Sequence, residues 1–247
     1  MFSRRNVARR TEQYAAESPF WISFADLMIV SMVVFLIVST VTIVIMKSQL
    51  DMLGDNGRKT HERQIEIERF ANMIKKKSQE MSPVPIISTV KDSVRIDLGE
   101  SVNFVSGSSD ISPEGKEFLR DYIPKLLEVA RDDLGKKWLK HVVVEGFTDS
   151  DGSYLFNLDL SLKRSRGVVC AMFEPLDEEG TLSMSKEDLN RVRDLFLVGG
   201  YSFNSMQASK ARSRRVELRL DFWEVEEKER QQIRADLSDK EFGKCLQ

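Results

Sequence analysis

The sequence predicts an α/β fold, an α+β sandwich of one mixed sheet with helices on one face, preceded by a single transmembrane helix. Three observations carry that prediction. Leu27 to Met46 is a run of 20 residues without a formal charge. Strand-like and helix-like segments alternate from Val84 onwards. The 37 basic and 39 acidic residues nearly cancel over 247 residues, yet segment by segment they give +2 for 1–19, −1 for 20–46, +2 for 47–83 and −5 for the remainder. The averages, 41% apolar and 31% charged, exclude a multi-span membrane protein and a disordered chain. Two cysteines and two histidines, far apart, leave no cluster with zinc-ligand spacing and exclude a disulfide-built miniprotein.

Residues 1–19 form a basic leader with Arg4, Arg5, Arg9 and Arg10 against Glu12 and Glu17. Residues 20–46 form the membrane helix, because 20 uncharged residues at about 1.5 Å rise span about 30 Å, the hydrocarbon thickness of a bilayer. The run is too long for the apolar region of a signal peptide, and Lys47-Ser48-Gln49-Leu50 offers no small-x-small cleavage site. Arginines ahead of the helix favour a cytoplasmic amino terminus, and Lys75-Lys76-Lys77 lies too far beyond it to counter them. The bulk of the chain is then periplasmic.

Residues 47–83 read as a partly helical tether, with a partial apolar stripe of Ile65, Ile67, Phe70, Met73 and Ile74, closed by Pro83 and Pro85. Residues 84–222 read as one domain. Ile86–Val90 and Val94–Leu98 flank Lys91-Asp92-Ser93 as a hairpin. Ser112 caps a helix that has Pro113 at its first position and is interrupted at Pro124. Val142–Phe147 is a strand, Leu160–Phe173 a helix, and Leu195–Val198 and Val216–Leu220 are further strands. Residues 223–247 are a charged tail, helical to about Leu237.

Two places carry chemistry. Asp26 stands at the start of the membrane helix, where a carboxylate costs about 2.5–3.5 kcal/mol at the bilayer centre and less near the edge. It either caps the apolar run at the interface or serves as a protonatable or cation-binding group. At 100° per residue, Ser23, Val30, Val33, Ile37 and Thr40 share its face. A lone span cannot surround its own carboxylate, so the second role requires a separate channel-forming subunit and oligomerisation. The other place is Gly146-Phe147-Thr148-Asp149, followed by Phe156-Asn157-x-x-Leu160-Ser161-x-x-Arg164. A strand ending in this turn, with a helix start close behind, can bring Asp149 and Arg164 together. They form either a structural salt bridge or a pair holding the amine and carboxylate of a zwitterionic ligand.

These residues carry two resemblances. Gly146–Asp149, Asn157-x-x-Leu160-Ser161-x-x-Arg164 and Arg212-Ser213-Arg214-Arg215-Val216-Glu217 resemble the signature of OmpA-like peptidoglycan-binding domains over 84–222. The resemblance implies that Asp149 and Arg164 hold the diaminopimelate of the wall stem peptide, with Phe156, Asn157 and Leu160 shaping the site. Phe156 stands where tyrosine is common, Ser165 where alanine is usual and Ser213 where asparagine is usual. Trp21-x-x-x-Ala25-Asp26-Leu27-Met28 is similar to the membrane helix of MotB-type flagellar stator B subunits, whose aspartate carries the transported ion.

The string from Ser18 to Asp26 most resembles the B subunits of Zorya anti-phage defence systems. This implies a homodimer in the inner membrane within a ring of multi-span A subunits, five A to two B. It implies protons or sodium ions as the transported species and no cofactor. A flagellar stator subunit and a passive wall anchor are the alternatives. Asp149, Asp151 and Asp159 are clustered carboxylates, but no nucleophile or metal set accompanies them, which excludes a hydrolase. Lys210, Arg212, Arg214 and Arg215 do not make a nucleic-acid surface, since the chain from Pro83 on has 25 basic against 30 acidic residues. Cys170 and Cys245, both on the expected periplasmic side, permit a disulfide between the second helix and the tail.

Overall fold

The computed structural model describes residues 20–90, 92–102, 104–175, 184–225 and 240–245. The leader and the expected tail helix lie outside the described residues. The chain divides into two units, Met1–Gly57 and Arg58–Gln247.

In the first unit, helix α1 (Phe20–Ser78) begins at Phe20 and continues past the boundary. It is long and apolar enough to cross a membrane by length and composition. The side chains of Leu27 to Val38 are exposed, as an unburied apolar stretch requires. Hydroxyls within the stretch turn back on the helix: Ser31 Oγ donates to the Met28 carbonyl at 2.9 Å, and Thr42 Oγ1 to the Val38 carbonyl at 2.8 Å. They therefore need no water where none is present. Asp26 is exposed on this helix.

The second unit corrects the expected tether. The sequence reading starts the folded domain at residue 84, whereas α1 enters the core well before it. Ile67, Phe70, Ala71 and Ile74 are at most 1% exposed, spaced i, i+3, i+4, i+7 on one face. Phe70 packs edge-on against Phe222, and Ser78 Oγ hydrogen-bonds Tyr122 Oη at 3.0 Å. Arg63, 4% exposed, donates from Nε to the Trp223 carbonyl and from Nη1 to Asp92. Only the part of 47–83 ahead of Arg58 falls outside this unit.

The sheet has five strands: β1 (Ile86–Val90), β2 (Ser93–Asp97), β3 (Leu139–Gly146), β4 (Phe196–Gly200) and β5 (Val216–Phe222), in the order β1-β2-β5-β3-β4. β3 and β4 are parallel and the other pairs antiparallel, so the sheet is mixed as expected. Helices α2 (Pro113–Ala130), α4 (Tyr154–Phe173) and α5 (Lys186–Leu195) join the core with α1, while α3 (Asp133–Trp138) and α6 (Lys210–Ser213) are short. As read from the sequence, Ser112 caps α2, its Oγ accepting from the Gly115 N–H at 3.1 Å. The helix does not break at Pro124 but runs through it.

Val94, Ile96, Val142, Val144, Val216, Leu218 and Leu220 turn to the helices. The alternate residues form charged rows on the opposite face, with Arg95 paired to Arg219, and Asp97 to Glu217 to Glu145. Like charges side by side are unfavourable. The rows offset each other: Arg95 Nη1 reaches Glu145 and Glu217 at 2.8 Å each, and Arg219 Nε reaches Glu145 at 2.6 Å.

Candidate functional site

The Gly-Phe-Thr-Asp turn begins where β3 ends, and its neighbours on both sides hold its backbone. The Phe147 N–H donates to the Arg215 carbonyl at 3.0 Å and the Thr148 N–H to the Ser202 carbonyl at 2.9 Å. Gly146 is required by close approach, since a Cβ there would meet the Ser161 carbonyl oxygen of α4 at 2.0 Å. The turn is thereby pressed against the helix that carries Asn157, Leu160, Ser161 and Arg164.

Asp149 closes an Asx-type turn, accepting the Asp151 N–H at 3.1 Å. Ser153 then caps α4, so the helix starts at Tyr154 rather than at the expected Leu160. Asn157 is 1% exposed, and its Nδ2 donates to the carbonyls of Asp151 at 2.8 Å and Ser153 at 3.2 Å, fixing the loop beside Asp149. Leu160 is buried and Phe156 is about half exposed. Ser165, at the position where alanine is usual in the resembling domains, is fully buried but satisfied, donating to the carbonyls of Ser161 and Gly199.

The two charges singled out in the sequence are not hydrogen-bonded to each other. Arg164 is 0% exposed and donates from Nε to the Ser108 carbonyl at 2.9 Å, from Nη1 to Phe147 at 3.1 Å and from Nη2 to Val105 at 3.1 Å. Its guanidinium also lies 4.9 Å over the Phe104 ring. Burial pulls its pKa down to about 10 and the Asp149 charge opposes that shift, so it stays protonated at neutral pH.

Asp149 instead pairs with Arg214, Oδ2 to Nη1 at 2.8 Å. Burial alone would raise the Asp149 carboxyl. The Arg214 hydrogen bond, the Asp151 N–H and the Arg214 and Lys210 charges outweigh burial and hold it below its ordinary value. Lys210 completes the rim by pairing with Asp151.

The chain is 37% identical over 230 residues to the Zorya protein ZorB of Escherichia coli O139:H28 (strain E24377A / ETEC), a match covering 92% of this chain and 90% of that protein. The chain belongs to the ZorB family. No family model matches it. Among solved structures, this ZorB-family chain is similar to the OmpA-like domain of FopA1 from Francisella tularensis subsp. tularensis SCHU S4, with 18% identity and a TM-score of 0.36 over 57% of this chain and 84% of that one. It is also similar to the periplasmic domain of Helicobacter pylori MotB, with 14% identity and a TM-score of 0.39 over 56% and 79%.

Of the residues that the sequence singled out in this ZorB-family member, Asn157 and Arg164 hydrogen-bond the backbone of the loop that carries Asp149, while Leu160 is buried and Phe156 half exposed on the same helix. Arg214 and Lys210, partners of the turn, were missed. Their pairings bridge 65 and 59 residues, a separation at which local spacing holds no signal. Cys170 and Cys245 are joined as a disulfide, tying the segment 240–245 to α4.

Proposed function

We propose that this chain is the wall-anchored, ion-carrying B subunit of an inner-membrane rotary motor of the Zorya defence type. The observation that carries this reading is the relationship to ZorB, which extends over 92% of the chain and so includes both an apolar helix and a Gly-Phe-Thr-Asp domain. With its amino terminus in the cytoplasm, the single span places Asp26 where a multi-span A subunit can surround it. Two copies serve as the axle within five A subunits. A proton, or alternatively a sodium ion, neutralises Asp26 from the periplasmic side and leaves towards the cytoplasm. A charge in low dielectric is costly and its neutral form is not, so loading and unloading change the fit of the helix against the ring. Asp149, Asn157, Leu160, Phe156 and Arg164 form the wall site, whose ligand is the diaminopimelate of the peptidoglycan stem. No cofactor takes part.

Asp26→Asn tests the motor half. Co-purification with the A subunit should persist while anti-phage protection and ion flux are lost. Full protection by that variant would leave only a passive anchor. The wall half is tested by sedimentation with purified peptidoglycan, which Asp149→Ala, or Arg164→Ala combined with Asn157→Ala, should weaken; undiminished sedimentation of both would reject it.

A further inference from the structure

Just past the apolar span, α1 carries a face that the chain itself does not cover. We propose that two copies of this chain pair there, as a parallel two-helix seam running from Met46 through Leu50 and Leu53 to Gly57. This pairing rests on the two-copy reading above and names the surface on which the copies meet.

Met46, Leu50, Leu53 and Gly57 follow at steps of four, three and four, the spacing that brings the a and d positions of a heptad to one side of a helix. Leu50 and Leu53 come after Lys47, the first charge beyond the membrane run. They are 60% and 68% exposed, so nothing in the chain's own fold shelters them. Farther along α1 the same heptad positions are Ile67, Ala71, Ile74 and Ser78, and there the core takes them in, at 1% exposure or less.

The charges keep to the other side of the helix. With Leu50 at a, Asp51 and Arg58 fall at b, Lys59 at c, and Asp55 and Glu62 at f, all turned away from the seam. Asp55 with Lys59 and Arg58 with Glu62 are opposite charges spaced i, i+4, so this polar side can be matched within a single helix.

The flanks of the seam select a second copy as the occupant. In a parallel pair of identical helices, each g residue meets the e residue of the other copy. Here Thr42 would meet Lys47 and Gln49 would meet Gly54, so no like charges face each other. Gln49, Gly54 and Asn56, the flanking residues from 48 to 57, are uncharged, which suits the same helix and offers a charged partner nothing to select it.

Gly54 and Gly57 fit the same partner. A Cβ on either would have nothing within 4 Å beyond the helix's own backbone, so no packing inside the chain requires a glycine there. Glycine within a helix is destabilising relative to alanine. At positions e and a of the seam, the two glycines let a second backbone approach, as small residues do between closely packed helices. Held side by side by their spans, the stems meet at high effective concentration, and a short seam suffices.

Cysteines placed singly in the full-length protein, in membranes with the A subunit present, test the face. The chain's own two cysteines are joined to each other, so wild type is the blank. Under oxidation Leu50→Cys and Leu53→Cys should form cross-linked dimer on the order of tenfold more than Asp51→Cys and Asp55→Cys, because a and d approach the partner while b and f point away. Gly57→Cys against Arg58→Cys repeats the comparison without removing a leucine. Cross-linking that is equal on both faces, absent from both, or stronger at the charged positions would overturn the seam. Capture of the A subunit in place of a second copy at Leu50→Cys and Leu53→Cys would overturn it too. Two differently tagged copies expressed together test the reading beneath it: failure to co-purify would end the two-copy reading, whereas co-purification with cross-linking blind to the face would end the seam alone.

Discussion

Asp149 and Arg164 show how two opposite charges are held by different means within a single site. The arginine is wholly enclosed, and its hydrogen bonds to main chain tie the segments at Val105, Ser108 and Phe147 together. The aspartate keeps its charge through Arg214, and that has a pH signature. Its folded pKa lies below the ordinary 3.8, so its contribution to stability is complete above that value and is lost as pH falls through the lower folded value. Asp149→Asn should therefore be less stable than wild type near pH 6. The gap between the two should close as the pH drops below about 4. Urea unfolding of the two proteins across that range checks it, and a gap independent of pH would contradict the assigned cause. The aspartate itself was legible in the sequence because a glycine, a threonine and a capped helix surround it at short spacing. Its true partner was not, because an ion pair across 65 residues is a product of the sheet order rather than of any local pattern.

Among the elements, α1 departs most from the sequence reading. The stripe at 67, 70, 71 and 74 was there to be read, but it lies among eight basic and six acidic residues, and Ile65 and Met73 blur its edges. Charge density suggested solvent, whereas burial followed the period. The hairpin β1-β2, the Ser112 cap and β3 were legible because each has its own turn or cap signal. α5 was missed although Ser185 caps it and Leu189, Val192 and Leu195 follow at helical spacing, all buried. The consequence for α1 can be measured. Phe70→Ala removes a ring stacked edge-on against Phe222 and should cost about 3–5 kcal/mol. A fragment starting at residue 84 should melt far below one starting at Arg58, or fail to fold. Equal melting of the two fragments would return α1 to the role of a tether.

At the scale of the whole molecule, the charge ledger separates two environments. One unit has an apolar helix with a single carboxylate at its start, and the other has a sheet whose core face and charged face are cleanly divided. The disulfide is the covalent counterpart of that second unit, closing a separation of 75 residues between α4 and the segment 240–245. Reduction should lower its stability by about 2–4 kcal/mol and retard the denatured protein on a gel, as expected when a long loop is opened in the unfolded chain. Identical mobility with and without reductant would show that the bridge does not form.

The buried stripe of α1 also bears on how the chain carries load. β1 is an edge strand, held to β2 by a ladder from Ile86↔Asp97 to Val90↔Ser93. Were everything before residue 84 slack, a pull from the membrane side would reach that edge and peel its hydrogen bonds apart one after another, as a zip opens. Because Ile67, Phe70, Ala71 and Ile74 are packed into the core, such a pull would meet the helix first and would have to shear four buried side chains out together. Peeling is a sequence of small barriers and shear is one large one, and forced unfolding is governed by the barrier rather than by equilibrium stability. A stretch of sequence that looks like rope is spliced into the block that follows it.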